Sequence, residues 1–257
     1  MAIRPIFIPV LDGPPFVREV EIEFKWHPGF SKAQMQKSIE SLHCATAQKE
    51  ISPILDISSK SPYPLGVSLS AFNLRIELDS QEITTVECAY QGSKVFEEGG
   101  PYQDLYLTSS REAKQDPRIR TSGEVIRFDF QGQDFSTFPI HGFYDWLYIY
   151  ALWQKINLEE RILEQILEFK GFSDIAFNPK RSFNCQARSV ALFVSLHQNN
   201  LIKSVVEDRY ADYLDLITDK TKSQLSQPNQ LTLFEMPEIE VRPEEKTHDY
   251  RSSAKPS

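Results

Sequence analysis

Apolar and polar side chains alternate from Val20 to Phe24 in the run FVREVEIEFKW, and this period of two predicts a strand over 16–26. A second strand is predicted over 3–10 (IRPIFIPV). Asp12-Gly13-Pro14-Pro15 supplies the turn between them, because glycine permits positive φ and proline fixes φ. His27-Pro28-Gly29 halts the pattern. Ser31 then stands where an N-cap belongs, with Gln34 three residues on, and Met35, Ile39, Leu42 and Ala45 share one stripe of a helix expected over 32–49. A loop rich in proline and serine follows over 52–66, interrupted by a short apolar strand at 54–57.

Residues 67–78 read as a strand, and a turn at 79–82 leads into a helix expected over 85–97, with Gly99-Gly100 as its left-handed C-cap. A helix near 109–116 ends at Pro117. The stretch 128–153 holds ten aromatic residues in 26 positions, and its helical part, 142–155, is too apolar to face water. Helices are expected near 158–169 and 184–198, separated by a polar loop from Phe172 to Asn184, with a last helix over 199–220. After Lys222, Ser, Gln, Pro, Glu and Lys dominate, and such a segment buries too little apolar surface to stay ordered. The expected organisation is an α+β fold. A strand–helix unit over 1–66 packs on a mainly helical core with a small sheet over 67–221, and a disordered tail covers 222–257.

Composition narrows the chemistry. A net charge of −8 over 257 residues excludes a general basic coat for nucleic acid, though not a local cationic cleft. Cys44, Cys88 and Cys185 lie too far apart for a zinc site or a disulfide framework, and read as buried thiols in a reducing compartment. No apolar run approaches the roughly 18 residues of a membrane helix, and no signal-peptide pattern is visible, so a cytoplasmic location is expected. There is no phosphate-binding glycine loop, dinucleotide fingerprint or nucleophile elbow, and the five histidines lack metal-ligand spacing. No cofactor or metal is expected; carboxylates, lysine and aromatics must carry any reaction.

Three segments qualify. In VECAYQGSKVF, Glu87, Gln91 and Lys94 fall at i, i+4 and i+7 on one helical face. That face is either solvated, with a weak surface pair, or a cleft that shifts the pKa values of a carboxylate and an amine. In FSDIAFNPKRSFNCQ, Asp174 follows a Gly171-Phe172 hinge, and Asn178, Asn184 and Gln186 add neutral hydrogen-bonding groups. Lys170, Lys180, Arg181 and Arg188 against Asp174 make residues 170–188 net +3, which suits a phosphate or merely an exposed turn. The third, Ser109 to Arg127, sets Arg111, Lys114, Arg118, Arg120 and Arg127 against Glu112, Asp116 and Glu124, the pattern of a solvated helix surface.

LSAF at 69–72, TVECAYQGSK at 85–94, SREAKQDPR at 110–118 and an aromatic helix with Trp146 together resemble the NADAR domain. That family has a Ser-Asn-Phe start, a Val-Glu helix followed by Gln and Lys, a Glu-Ala-Lys helix, a Trp-bearing helix and an Asp-containing loop. Here the start reads Ser-Ala-Phe, and IAFNPKRSFNCQA replaces the family's Trp-Gly part after the aspartate. Residues 1–200 as a whole resemble the NADAR antitoxins associated with DarT toxins.

The resemblance implies an N-glycosidase, a hydrolase that removes ADP-ribose from guanine bases in DNA and so repairs the modification made by a DarT-type toxin. It carries the family's glutamate onto Glu87, its lysine onto Lys94, its tryptophan onto Trp146 and its aspartate onto Asp174. Lys94 is then the nucleophile with Glu87 the general acid/base, or, with no covalent step, Glu87 activates water directly; Asp174 is a ribose ligand or second acid/base, and Trp146 a pocket wall. Ser70, Phe72, Gln91 and Asn178 are expected at the substrate, and Arg111, Lys180 and Arg181 at its pyrophosphate or the DNA backbone. Two alternatives stand beside this: a non-catalytic adaptor that binds ADP-ribose or DNA, and a metabolic ribosylamine N-glycosidase like other NADAR members.

The tail carries a further resemblance. Gln230-Leu231-Thr232-Leu233-Phe234 is similar to the peptide by which bacterial proteins dock on the replication sliding clamp. Gln230, Leu231, Leu233 and Phe234 are therefore expected either to bind a clamp or to pack back on the domain.

Overall fold

A computed structural model describes residues 1–29, 31–178, 182, 184–207 and 210–218. The fold is α+β. Strands β1 (Ala2–Pro9) and β2 (Val17–Phe24) form the expected hairpin, antiparallel from Ala2↔Phe24 to Pro9↔Val17. Ser31 caps α1 (Lys32–Ala47) by accepting the Gln34 N–H at 3.3 Å. Met35, Ile39 and Leu42 of α1 pack against Ile6, Ile22, Phe24 and Ile54, the last from β3 (Ile54–Asp56).

Residues 67–78 are not one strand. Pro64 opens a short helix, α2 (Pro64–Ser68), a turn follows, and only β4 (Arg75–Glu77) is extended, pairing antiparallel with β5 (Ile83–Thr85). The helix expected to reach residue 97 is also shorter. It is α3 (Val86–Gly92), after which the Ser93 hydroxyl binds the Ala89 carbonyl at 2.7 Å and the Tyr106 hydroxyl at 2.9 Å. Lys94–Phe96 then forms β6, paired antiparallel with β7 (Val125–Phe130) because Lys-Val-Phe gains a strand partner where a helix would have lost one. Gly99-Gly100 is accordingly no helix cap. Gly100, at φ +85°, lies over the Lys94 carbonyl, where a Cβ would come within 2.3 Å of the oxygen, so the position admits only glycine.

Between these strands lie α4 (Ser110–Gln115) and α5 (Arg118–Thr121). A two-residue turn joins β7 to β8 (Gln133–Phe135), with Gln131 and Gly132 both at positive φ. Alternation in VIRFDF ahead of Gln-Gly is the sequence signal for that hairpin. The apolar helix is α6 (Gly142–Leu158), buried on nearly every face. It is followed by α7 (Arg161–Leu167), β9 (Gly171–Ser173) and α8 (Gln186–Gln198). The expected last helix is two, α9 (Ile202–Glu207) and α10 (Tyr210–Thr218).

The loop expected from Phe172 thus begins inside a strand. β9 runs parallel to β3 through Ile54↔Gly171, Leu55↔Phe172 and Asp56↔Ser173, and meets β1 at Phe7↔Phe172. The sheet order is β2-β1-β9-β3, so a strand from late in the chain divides two early ones. Cys88 and Cys185 are buried as expected, but Cys44 is exposed on the outer face of α1. Among the described residues no helix is long and apolar enough to cross a membrane. Residues 222–257, with Gln230, Leu231, Leu233 and Phe234, lie outside the described residues, as do Lys180 and Arg181.

Candidate active site

The start of α3 is tied down on two sides. Thr85 Oγ1 accepts the Cys88 N–H at 3.2 Å and meets Ser110 Oγ at 2.8 Å; Ser110 in turn donates to the Phe72 carbonyl at 3.0 Å. The Glu87 N–H donates to the Ala71 carbonyl at 3.0 Å. The first turn of α3 is therefore fixed against both the 70–73 turn and α4. That places Glu87, Gln91 and Lys94 in a line, exposed by only 6 %, 7 % and 6 %.

The line is hydrogen-bonded. Gln91 Nε2 donates to Glu87 Oε1 at 2.9 Å, and Lys94 Nζ donates to Gln91 Oε1 at 2.8 Å. Lys114 of α4 reaches the same Glu87 Oε1, with Nζ at 3.7 Å. Aromatic rings enclose the amines. Lys94 Nζ lies 4.8 Å from the centre of the Tyr90 ring and Lys114 Nζ 5.3 Å from that of Phe72. Burial pushes the Lys94 amine down to about 8, Glu87 opposing the shift and Lys114 adding to it.

Asp174 enters from the end of β9. Its Oδ1 accepts the Ala176 N–H at 2.9 Å, and its Oδ2 accepts Gln186 Nε2 at 2.9 Å. Gln186 Oε1 takes the Ala71 N–H at 2.7 Å. Since the Ala71 carbonyl holds Glu87, one bonded path runs from Asp174 through Gln186 and Ala71 to Glu87, Gln91 and Lys94. Burial raises the Asp174 carboxyl to about 6 against these hydrogen bonds, with the Lys114 charge also acting to lower it. Tyr144 of α6 lies within electrostatic reach of both Glu87 and Asp174 and packs edge-on to Tyr90 at 5.2 Å.

Several expected site residues stand elsewhere or serve otherwise. Trp146 is core: its indole N–H donates to the Val205 carbonyl at 3.0 Å and its ring stacks on Tyr150 at 5.5 Å. Side chains on α6 point in different directions two residues apart, so Tyr144, not Trp146, faces Glu87. Ser70 Oγ closes its own turn by donating to Val67 O at 2.8 Å and accepting from Asn73 Nδ2 at 2.9 Å. Phe72 does border the site, through Lys114. Arg111 is exposed on α4, and the Asn178 carbonyl accepts the Ser182 N–H at 3.1 Å. Arg188, counted in the cationic segment, is instead an ion-pair partner of Asp145, which is 1 % exposed and also accepts Ser189 Oγ at 2.6 Å. Arg118 and Arg127 are likewise paired, with Asp104 and Asp116 and with Asp129 and Asp134. Glu112 completes a capping box with Ser109.

Sequence spacing did not single out Tyr144, or the contact of Lys114 with Glu87. Asn184, marked as a neutral hydrogen-bonding group of its segment, donates from Nδ2 to the Tyr90 hydroxyl at 2.7 Å. Among the described residues no three His, Cys, Asp or Glu side chains are grouped to hold a metal ion. The cluster offers an amine neutral in a useful fraction near pH 7, a carboxylate two bonds away from it, and a second carboxyl of raised pKa. These are the parts of covalent amine catalysis with proton transfer. A family model described as DarT1-associated NADAR antitoxin matches residues 2–227 of the chain, and no curated protein matches it.

Proposed function

Because the chain belongs to the DarT1-associated NADAR antitoxin family, we propose that it is an N-glycosidase that removes ADP-ribose from guanine bases in DNA and thereby reverses the action of its toxin. The observation that carries this reading is the Lys94 amine. It is buried, held by a neutral acceptor, and pushed down to about 8 beside a carboxylate.

ADP-ribose on the exocyclic amine of guanine is an aminal, and its ribose opens to an imine when the bond between the anomeric carbon and the ring oxygen breaks. The Glu87 carboxylate takes the proton of the guanine N–H and passes it to that oxygen. The neutral Lys94 amine adds to the imine carbon, and its two protons pass in turn through Glu87 to the guanine nitrogen. The bond from carbon to guanine nitrogen then breaks, leaving unmodified guanine and a lysine imine. Water adds to that imine, and Lys94 departs as the amine while ADP-ribose is released. Asp174, ionised above about 6, accepts a ribose hydroxyl and orients the sugar. The walls formed by Tyr90, Phe72 and Tyr144 suit a site that keeps the imine from bulk water.

Hydrolysis of an oligonucleotide carrying ADP-ribosyl-guanine tests the proposal. Wild type should release ADP-ribose, Lys94→Ala and Glu87→Ala should not, and cyanoborohydride should trap ADP-ribose on Lys94. Release by Lys94→Ala at the wild-type rate would replace the covalent route with direct attack of water assisted by Glu87. No release by wild type, with the modified strand still bound, would leave a binding adaptor. Turnover of small ribosylamines in preference to modified DNA would make the protein a metabolic glycosidase.

A further inference from the structure

We infer that the Gln91 carboxamide is a positioning residue that holds the Lys94 amine through a neutral acceptor and keeps the Glu87 carboxylate from pairing with it directly. This rests on the reading of Lys94 as the nucleophile.

The amide can lie only one way. A carboxylate offers acceptors alone and an ammonium offers donors alone, so Nε2 must face Glu87 and Oε1 must face Lys94, as the 2.9 Å and 2.8 Å bonds have it. The backbone enforces the same order. Glu87 and Gln91 are one turn apart on α3, and because the helix ends at Gly92, Lys94 meets Gln91 from the first residue of β6. In a site this enclosed, a carboxylate and an amine in direct contact attract far more strongly than in water. Such a pair holds a lysine protonated and without a lone pair to attack carbon.

Glu87 has a cationic partner that leaves the nucleophile out. Lys114 Nζ approaches the same oxygen at 3.7 Å from the solvent side, its side chain 46 % exposed. The groups around Lys94 among the described residues are few. α3 presents Glu87 and the Tyr90 ring, and α4 presents Lys114, on which Asp174 also acts from the turn after β9. β7 carries Asp129, whose carboxylate is paired with Arg127. Among the described residues only Glu87 favours the protonated amine by its charge, and Gln91 occupies the space between them.

Wild type, Gln91→Glu and Gln91→Ala test this. The Lys94 amine is followed by competitive acetylation against pH with mass spectrometry, and cleavage of the ADP-ribosyl-guanine oligonucleotide is measured in parallel. Gln91→Glu sets a carboxylate on Nζ, and Gln91→Ala opens the space between Glu87 and Lys94 without adding charge. The Lys94 midpoint should rise by about one unit or more in whichever variants retain the wild-type circular dichroism spectrum. Cleavage at pH 7 should fall about tenfold and return toward wild type near pH 9 to 10. No rise in either variant overturns the inference. The reading beneath it fails differently: undiminished cleavage by Lys94→Ala removes Lys94 as nucleophile whatever the Gln91 variants do. An essential Lys94 with an unmoved midpoint removes only the spacer.

Discussion

Asp56 grips Asp174 from both sides: its Oδ2 accepts Ser173 Oγ at 3.0 Å and the Ile175 N–H at 2.9 Å, the residues immediately before and after the site carboxylate. Ser58 Oγ donates to the other oxygen at 2.6 Å. Asp56 is fully enclosed, so removing the acceptor strands three donors. Asp56→Ala should cost about 1–3 kcal/mol and reduce cleavage through displacement of Asp174. Asp56→Asn should keep most of both, since its amide oxygen can take Ser173 and Ile175 while its NH2 faces a Ser58 hydroxyl able to reverse. Chemical denaturation and initial rates on the two variants check this.

The same residue sets a pH dependence of stability. Burial, with Asp174 nearby, raises the Asp56 carboxyl from 3.8 to about 7, and Asp174 is raised to about 6. Between about 4 and 7 the folded chain therefore binds more protons than the unfolded one, and stability falls as pH rises through that window. The thermal midpoint should drop from pH 5 to pH 8 on account of these two groups. Asp56→Asn should flatten the slope.

Catalysis runs the other way. On the proposed mechanism Lys94 must lose its proton, with a midpoint at about 8, and Asp174 accepts a sugar hydroxyl only when ionised, above about 6. The logarithm of kcat/KM for the modified oligonucleotide should climb with a slope near two below pH 6 and near one from 6 to 8, then level. Lys114→Met removes a neighbouring cation that lowers the amine, and should displace the upper break to higher pH.

Arg188 separates a structural cation from a DNA-binding one. Its loss would leave Asp145, 1 % exposed, as an uncompensated buried charge. Arg188→Ala should cost about 3–5 kcal/mol while the salt dependence of DNA binding stays as in wild type.

Trp146→Phe offers the matching test in the aromatic core. It removes the hydrogen bond to Val205 and some ring volume, so about 1–3 kcal/mol should be lost with kcat/KM nearly unchanged. Phe72→Ala, at the border of the site, should instead raise KM.

Elements with strong periods were legible: the β1–β2 hairpin, α1 with its Ser31 cap, α6 and α8 follow from local spacing alone. Short elements were not. Val86 to Phe96 has helical spacing throughout, yet ends its helix at Gly92 because Lys94–Phe96 finds a partner in Val125–Phe130, about thirty residues away. The line Glu87–Gln91–Lys94 was visible as a polar stripe, and Asp174 by resemblance. Their connection through Gln186 and Ala71 joins segments 115 residues apart, which no local pattern encodes. Trp146 misled for a related reason. A tryptophan two residues from the position that faces the site looks equally suited until the helix is rotated into place.

The insertion of β9 between β1 and β3 also sets when the protein becomes competent during its synthesis. Glu87 and Lys94 leave the ribosome long before residue 171, but until then β1 and β3 have open edges facing a gap, and Asp174 does not yet exist. On the proposed mechanism, competence then arrives as one late event rather than by degrees. A nascent chain that has not yet made β9 lacks Asp174 and keeps unpaired strand edges, which are templates for pairing with other chains.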